Sequence, residues 1–158
     1  MQHVQIRSTT SALVLTAVLI ALATLFTMYT KIPVPGIRGY FNVGDVVIMT
    51  SALLLGRKYG AYIGAIGPAL ADLFLGYAVF VPITFVVKGI EGYLVGTVYN
   101  NKTTTSALAA TIVGGIIIVA GYFIVEYFVF NPGVAIASIL TNTIQAVMSV
   151  IVSMILYA

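Results

Sequence analysis

Gly39-Tyr40-Phe41-Asn42-Val43-Gly44-Asp45, an apolar run to Leu55, Gly56-Arg57-Lys58-Tyr59-Gly60, Gly64-Ala65-Ile66-Gly67-Pro68-Ala69-Leu70-Ala71-Asp72, Gly76-Tyr77 and Lys88-Gly89-Ile90-Glu91-Gly92 form the stretch that decides the fold. Charge and glycine recur here inside sequence that is otherwise lipid-like. A helix in a bilayer tolerates a charge where it faces a partner or a cavity, and glycine lets helices approach closely. The stretch therefore predicts the packed heart of a helical membrane bundle.

Working outward, the whole chain is 61% hydrophobic and 7% charged, with a mean hydropathy of +1.12. A soluble domain carries about a quarter charged residues, so this chain cannot cover itself in water. It predicts an all-α integral membrane protein, a single domain over residues 1–158 with roughly six spans of ~20 residues. There is no cysteine, which excludes disulfides, thiolate catalysis and cysteine metal sites. The single histidine, His3, lies in the N-terminal tail, so a Ser/His/Asp set and histidine metal clusters are excluded as well. No Gly-x-x-x-x-Gly-Lys-Ser/Thr phosphate loop occurs. No cofactor is expected, and any ATP is hydrolysed by another chain. The net charge of +3 is small and reads as membrane topology, not nucleic-acid binding.

The spans expected in order are Ser11 to Tyr29, Val43 to Leu55, Tyr59 to Tyr77, Val81 to Tyr99, Ala107 to Phe130 and Val134 to Ala158. Ala21-Leu22-Ala23 resembles a signal-peptide cleavage site, but the apolar run continues through Leu25-Phe26-Thr27-Met28, which favours a retained helix. Ala17 and Ala21 form a small-xxx-small step, open to bundle packing or to docking of another subunit. Ile32-Pro33-Val34-Pro35-Gly36 cannot continue a helix. The loop from Lys31 to Asn42 reads either as a lid over the bundle mouth or as a connector with interfacial aromatics. The second span is short, and Gly56-Arg57-Lys58-Tyr59-Gly60 is expected as a tight basic loop. In the third span Ala61, Ala65 and Ala69, and Gly60 and Gly64, recur every four residues, which predicts close packing on a neighbour, with a kink at Pro68. Asn131-Pro132-Gly133 is a turn. Arg7, Arg57, Lys58 and Lys102 fall on one side of this topology, against Lys31 and Arg38 on the other. The positive-inside rule then puts both termini in the cytoplasm.

With that topology, Lys88 lies ~10 Å below the outer start of its helix at 1.5 Å per residue. Asn142 falls at a similar depth, Gln145 one turn deeper, and Glu126 within about a turn of the outer end. These four are expected to meet in one pocket, with Tyr122, Tyr127 and Tyr93 supplying ring faces and hydroxyls. Amides that donate and accept, a carboxylate and tyrosines suit a small polar heteroaromatic ligand. Asn142 and Gln145, three apart, also fit interhelical hydrogen bonding. Lys88 and Glu91, also three apart, fit a self-neutralising pair, and Asp72 can pair with Lys88 from the neighbouring helix. Asp72, Glu91 and Asp45 are therefore read as structural charges. The carboxylates lack the further ligands that a metal site requires.

Tyr40-Phe41-Asn42-Val43-Gly44-Asp45, Leu55-Gly56-Arg57-Lys58-Tyr59-Gly60, Gly67-Pro68-Ala69-Leu70-Ala71-Asp72-Leu73 with Gly76-Tyr77, and Lys88-Gly89 carry a resemblance. In this order and spacing the chain resembles the substrate-binding S component of an energy-coupling factor (ECF) vitamin transporter. The match covers about residues 11 to 99, with the last two helices similar in pattern only. The resemblance implies a six-helix bundle that captures a vitamin or precursor from outside. It implies partners too, a transmembrane T component and two cytoplasmic ATPases, with the S component toppling in the cell membrane during transport. The family's Ala-x-x-x-Ala docking face matches Ala17-Val18-Leu19-Ile20-Ala21. Its gating first outer loop supports the lid reading and adds Tyr40 and Phe41 to the ligand candidates. Within the family, the short tryptophan-free chain looks most like the hydroxymethylpyrimidine or pyridoxine type, with riboflavin as the alternative. From other classes, a small membrane enzyme would have to use Asp72 or Glu91 as its base, and a carrier or scaffold subunit would show repeats or bind no small molecule.

Overall fold

The computed structural model describes residues 9–33, 40–99 and 103–158, with backbone only at Thr9, Pro33 and Phe41. The described residues form six helices and one two-residue antiparallel ladder: α1 (Thr9–Tyr29), β1 (Ile32–Pro33), β2 (Tyr40–Phe41), α2 (Gly44–Leu55), α3 (Arg57–Phe74), α4 (Phe80–Val98), α5 (Thr104–Val129) and α6 (Pro132–Tyr157). Ile32 pairs with Phe41 and Pro33 with Tyr40. The loop expected between the first two helices therefore begins and ends as a short ribbon. The calls that fall on Arg7, Arg38, Lys102 and the loop tip lie outside the described residues, as does the side chain of Phe41.

Four helices, α1, α4, α5 and α6, are long and apolar enough to cross a membrane. The other two differ for distinct reasons. α3 gathers Arg57, Lys58 and Asp72 into its 18 residues. α2 has 12 residues and rises only ~18 Å, short of a ~30 Å hydrocarbon core. It compensates by position. Nine of its residues are buried, and it touches every other helix of the bundle. A helix wrapped by others on all sides can be apolar all round without facing lipid.

The boundary between α2 and α3 corrects one expectation. Gly56-Arg57-Lys58-Tyr59-Gly60 is not a five-residue loop. The break is Gly56 alone, at φ +83°, and Arg57 already begins the next helix. Glycine adopts this left-handed conformation without steric cost, so one residue suffices to turn the chain. The remaining helix ends fall within a few residues of expectation, and their caps explain the offsets. Asn131 accepts the Val134 N–H at 3.0 Å and Pro132 occupies the first turn of α6, so the predicted turn is the helix start. Thr103 and Ser106 cap α5 reciprocally at 3.2 Å.

The close packing predicted from the alanine and glycine spacing of α3 falls on α4, its most extensive neighbour. A Cβ at Gly60 would stand 2.6 Å from both the Gly92 carbonyl oxygen and the Ala52 Cβ. Only glycine lets the two backbones come this near. α1 is held to α3 by the Thr24 hydroxyl, which donates to the Gly67 carbonyl at 2.9 Å. Its Ala17 and Ala21 face outward. A core of Met49, Ala52, Leu53, Val95, Ala107, Ala110 and Ile118 fills the half of the bundle away from the β ribbon. The half near the ribbon is polar inside, and the candidate site is there.

Candidate functional site

A small cavity lies beneath the β ribbon. It is lined by Thr27 of α1, Tyr40 and Asn42 of the β2–α2 segment, Pro68 and Asp72 of α3, Phe80, Thr84 and Lys88 of α4, Tyr122 and Glu126 of α5, and Ser138, Asn142 and Gln145 of α6. Its volume is about 40 Å³, room for about one water. A groove of about 560 Å³ between α5 and α6 is larger, but its wall is Ile112, Ile116, Val119, Phe123, Ile139, Val147 and similar side chains, with Thr143 the polar exception. It offers no set of hydrogen-bonding groups for a polar ligand, so the polar cavity is the candidate site.

At the floor, Lys88 is 2% exposed and ion-paired with Asp45 of α2. It lies 3.3 Å from Glu91, one turn along its own helix. Gln145 joins the group from α6, its Nε2 donating to Asp45 Oδ2 at 2.7 Å. The other end of the same amide, Oε1, accepts the Asn42 N–H at 2.9 Å. Gln145 thus ties the lysine cluster to the segment that leaves the ribbon. Lys88 also lies 5.5 Å from the Tyr122 ring centroid, a cation–π distance. A buried lysine is tolerated only when paired in this way.

At the walls, the Ser138 hydroxyl donates to Glu126, and Thr84 and Tyr122 share a hydrogen bond of 3.0 Å. At the roof, the Tyr40 hydroxyl donates to Asp72 at 2.6 Å. Burial, with the Asp72 carboxylate beside it, pushes the Tyr40 hydroxyl far above its ordinary range, so it remains a donor in mildly alkaline solution. The Tyr40 and Tyr77 rings meet at 5.0 Å, and Lys31 Nζ lies 4.9 Å from the Tyr77 centroid and 5.9 Å from that of Tyr40. The ribbon is latched down over the cavity. Two polar groups inside are left without partners: the Thr27 hydroxyl, 1% exposed, and Asn142 Nδ2. Glu91 likewise has no hydrogen-bond donor on either carboxylate oxygen. Orphaned buried polar groups are rare in folded proteins; Thr27 and Asn142 line this cavity, whereas Glu91, Thr50, Ser149 and Ser153, also without hydrogen-bond partners, do not.

The sequence-predicted residues divide cleanly. Lys88, Tyr122, Glu126, Asn142, Gln145 and Tyr40 come together at the cavity. Tyr93 and Tyr127 do not. Each is 43% exposed. Tyr93 lies under the Arg57 guanidinium at 5.9 Å, and Tyr127 packs with Phe123 and Phe128. The expectation that they face the pocket fails on helical phase: Tyr127 follows Glu126 directly, about 100° further round the helix. Asp72, expected to be structural and a possible partner for Lys88, lines the cavity and bonds Tyr40, while Lys88 takes Asp45. Thr27, Asn42, Thr84 and Ser138 were not foreseen. A signal existed for two of them, since Thr84 stands four residues before Lys88 and Ser138 four before Asn142, on the same helical faces. Thr27 and Asn42 reach the site only through tertiary packing. Among the described residues there is no cluster of His, Cys, Asp and Glu able to hold a metal ion.

Comparison with known proteins adds an independent line. The family model described as the S component of ECF-type riboflavin transporters matches residues 7–158. HmpT of Lactococcus lactis subsp. cremoris, a thiamine precursor transporter, is 30% identical over 158 residues, covering 99% of this chain and 89% of its own length. An uncharacterized protein of Pyrococcus woesei is 41% identical over 132 residues, 82% of this chain and 87% of that one. A solved S component of a bacterial ECF transporter superposes with a TM-score of 0.77 over 95% of both chains at 20% identity, a likeness of fold.

Proposed function

This chain belongs to the family of ECF-type riboflavin transporter S components, membrane proteins of vitamin uptake, and from that membership we propose that it is the high-affinity binding subunit that captures a small heteroaromatic vitamin precursor, of hydroxymethylpyrimidine or pyridoxine type, from outside the cell. The observation that carries the substrate class is the cavity under the ribbon, where one amide and one hydroxyl, Asn142 and Thr27, lack partners among two tyrosines and two carboxylates. A small ring with polar substituents satisfies those groups. A flavin, the second reading, is favoured by the description of the matching family; the cavity of about 40 Å³ holds neither ring system as it stands, so its size does not choose between them. The named activity of the Lactococcus relative, transport of a thiamine precursor, supports the smaller ligand.

In this reading the whole chain is one membrane domain crossing the bilayer six times, with α2 enclosed by the other helices, α3 packed on α1, α2 and α4, and both termini in the cytoplasm. The ribbon end then faces outward, and Tyr40 with its latch to Asp72 closes the site. A cavity of about 40 Å³ cannot hold a substituted ring, so the ribbon lifts before a ligand enters. Delivery inward uses a T component and two ATPases. Ala17 and Ala21, both exposed on α1, offer the T component a flat face with small side chains. The subunit itself carries no cofactor and performs no catalysis. Mass spectrometry of small molecules released by denaturing the purified protein tests the reading. A pyrimidine or pyridoxine is expected. Release of a flavin would move the substrate assignment to the second reading. Turnover of a lipid by the purified chain alone would replace the transporter reading.

A further inference from the structure

All four acidic residues of this chain, Asp45, Asp72, Glu91 and Glu126, are buried, at 0 to 4% exposure. They converge on one place from α2, α3, α4 and α5. Asp72 and Glu126 line the cavity, and Asp45 and Glu91 hold the lysine in its floor. Among the described residues Lys88 is the cation of the cavity wall, and Lys31 stands outside, over the Tyr40 and Tyr77 rings. The remaining polar groups facing the space are hydroxyls, of Thr27, Tyr40, Thr84, Tyr122 and Ser138, and the amides of Asn42, Asn142 and Gln145. Two of the four carboxyls, Asp45 and Glu91, therefore share the one buried ammonium, and Asp72 and Glu126 line the space without a cation among the described residues. Carboxylates out of water and without a cation are strongly disfavoured, and a structural ion-pair network would have matched its signs. The unpartnered Thr27 hydroxyl, almost fully buried in the same wall, is an independent sign that a further molecule belongs there.

We propose that the missing positive charge is carried by the ligand, so that the site selects a heteroaromatic base, an aminopyrimidine or pyridine, bound with its ring nitrogen protonated against Glu126 and Asp72. This rests on the vitamin-binding reading above and narrows it. Lys88 is already taken by Asp45 and Glu91, which leaves Glu126 and Asp72 with hydroxyl donors only, from Ser138 and Tyr40. An aminopyrimidine protonated on the ring nitrogen next to its amino-bearing carbon presents two parallel N–H groups, the fork that a carboxylate accepts on both oxygens; protonated on its other nitrogen, and likewise as a pyridine, the ring presents one charged N–H. No covalent bond forms. The ring nitrogen keeps a proton taken from solvent or from the carboxyl group it meets. A neutral flavin offers no basic nitrogen and leaves the charge unbalanced.

Three probes are titrated into the purified chain in detergent: 4-amino-5-hydroxymethyl-2-methylpyrimidine, its 4-oxo counterpart, which has similar shape and no basic nitrogen, and riboflavin. The amino compound is expected to bind at least ~10- to 100-fold more tightly than the oxo compound, the range for a charge-assisted hydrogen bond. Nitrogen NMR of the ¹⁵N-labelled amino compound, bound at a pH where it is neutral in solution, is expected to show a protonated ring nitrogen. Glu126→Gln or Asp72→Asn is expected to collapse the amino/oxo ratio. The wild-type comparison decides the matter even where a variant does not fold. Equal affinity for the amino and oxo probes, a free-base ring nitrogen in the complex, or preference for riboflavin overturns the proposal and leaves the transporter reading standing. Binding of none of the three, nor of pyridoxine, overturns both.

Discussion

Replacing Lys88 by Met tests the electrostatic floor of the site most directly. The side chains are similar in length, so packing against Tyr122 is largely preserved. The charge is not. Asp45 and Glu91, both fully buried, lose the cation they share, and removing one member of a buried ion pair costs about 3–5 kcal/mol. For a chain of this size each kcal/mol moves the melting temperature by about 2–4 °C, so Lys88→Met is expected to melt roughly 10 °C below the parent. Glu91→Gln makes the opposite case. Its carboxylate accepts no hydrogen bond and competes with Asp45 for one lysine, so the amide relieves the excess of acid. It is expected to melt within ~2 °C of the parent or above it, and Lys88→Met/Glu91→Gln is expected to recover part of the loss of the single variant. The assay is thermal unfolding of ligand-free protein in one detergent, with tryptophan-free fluorescence replaced by circular dichroism. If Lys88→Met melts with the parent, or if Glu91→Gln falls as far as Lys88→Met, the lysine does not balance the two acids and the reasoning is wrong.

Asn142→Ala and Glu126→Ala are each expected to weaken ligand binding by ~10-fold or more while the helical spectrum is retained; unchanged affinity in both places the site elsewhere. Ala17→Trp with Ala21→Trp puts two large side chains on the exposed face of α1. Binding by the isolated chain is expected to survive and uptake by cells to be lost, and an uptake-competent double variant would show the docking face to be misassigned. Tyr40→Phe removes the donor to Asp72 at 2.6 Å and keeps the ring contact with Tyr77. Ligand release is expected to quicken by about 10-fold, read by stopped-flow chase, and an unchanged release rate argues against a latch. Gly92→Val drives a branched side chain into the Gly60 backbone. A loss of about 1–3 kcal/mol is expected from overpacking, visible as a lower melting temperature, whereas a neutral outcome would mean that α3 and α4 separate freely.

Class and coarse architecture were legible in the sequence because they depend on sums. Seven charged residues in every hundred cannot cover a soluble surface, whatever the order of the rest. That α3 packs closely on a neighbour was legible from the four-residue spacing of Gly60 and Gly64 and of Ala61, Ala65 and Ala69, since a helical period is local information; that the neighbour is α4 was not. Six members of the cavity, Lys88, Tyr122, Glu126, Asn142, Gln145 and Tyr40, were legible because a polar side chain inside an apolar helix needs a reason. The same logic overreached at Tyr93 and Tyr127, each 43% exposed on the outside of the bundle and packed there on Arg57 and on Phe123 and Phe128.

What the sequence determined by itself, then, was a helical membrane protein of the S-component kind, with its polar groups concentrated in the stretch that opens at Gly39 and in the last two helices. The tertiary structure decided which of those groups meet. It joined Lys88 to Asp45, 43 residues away, in preference to Asp72; it spent both ends of the Gln145 amide on Asp45 and Asn42; and it set Asp45 and Glu91 on the lysine while leaving Asp72 and Glu126 to Tyr40 and Ser138. The physical reason is that composition and period fix how much is buried and on which face, whereas the pairing of buried charges depends on helix depth and rotation, and these are set only when every helix has packed against its neighbours.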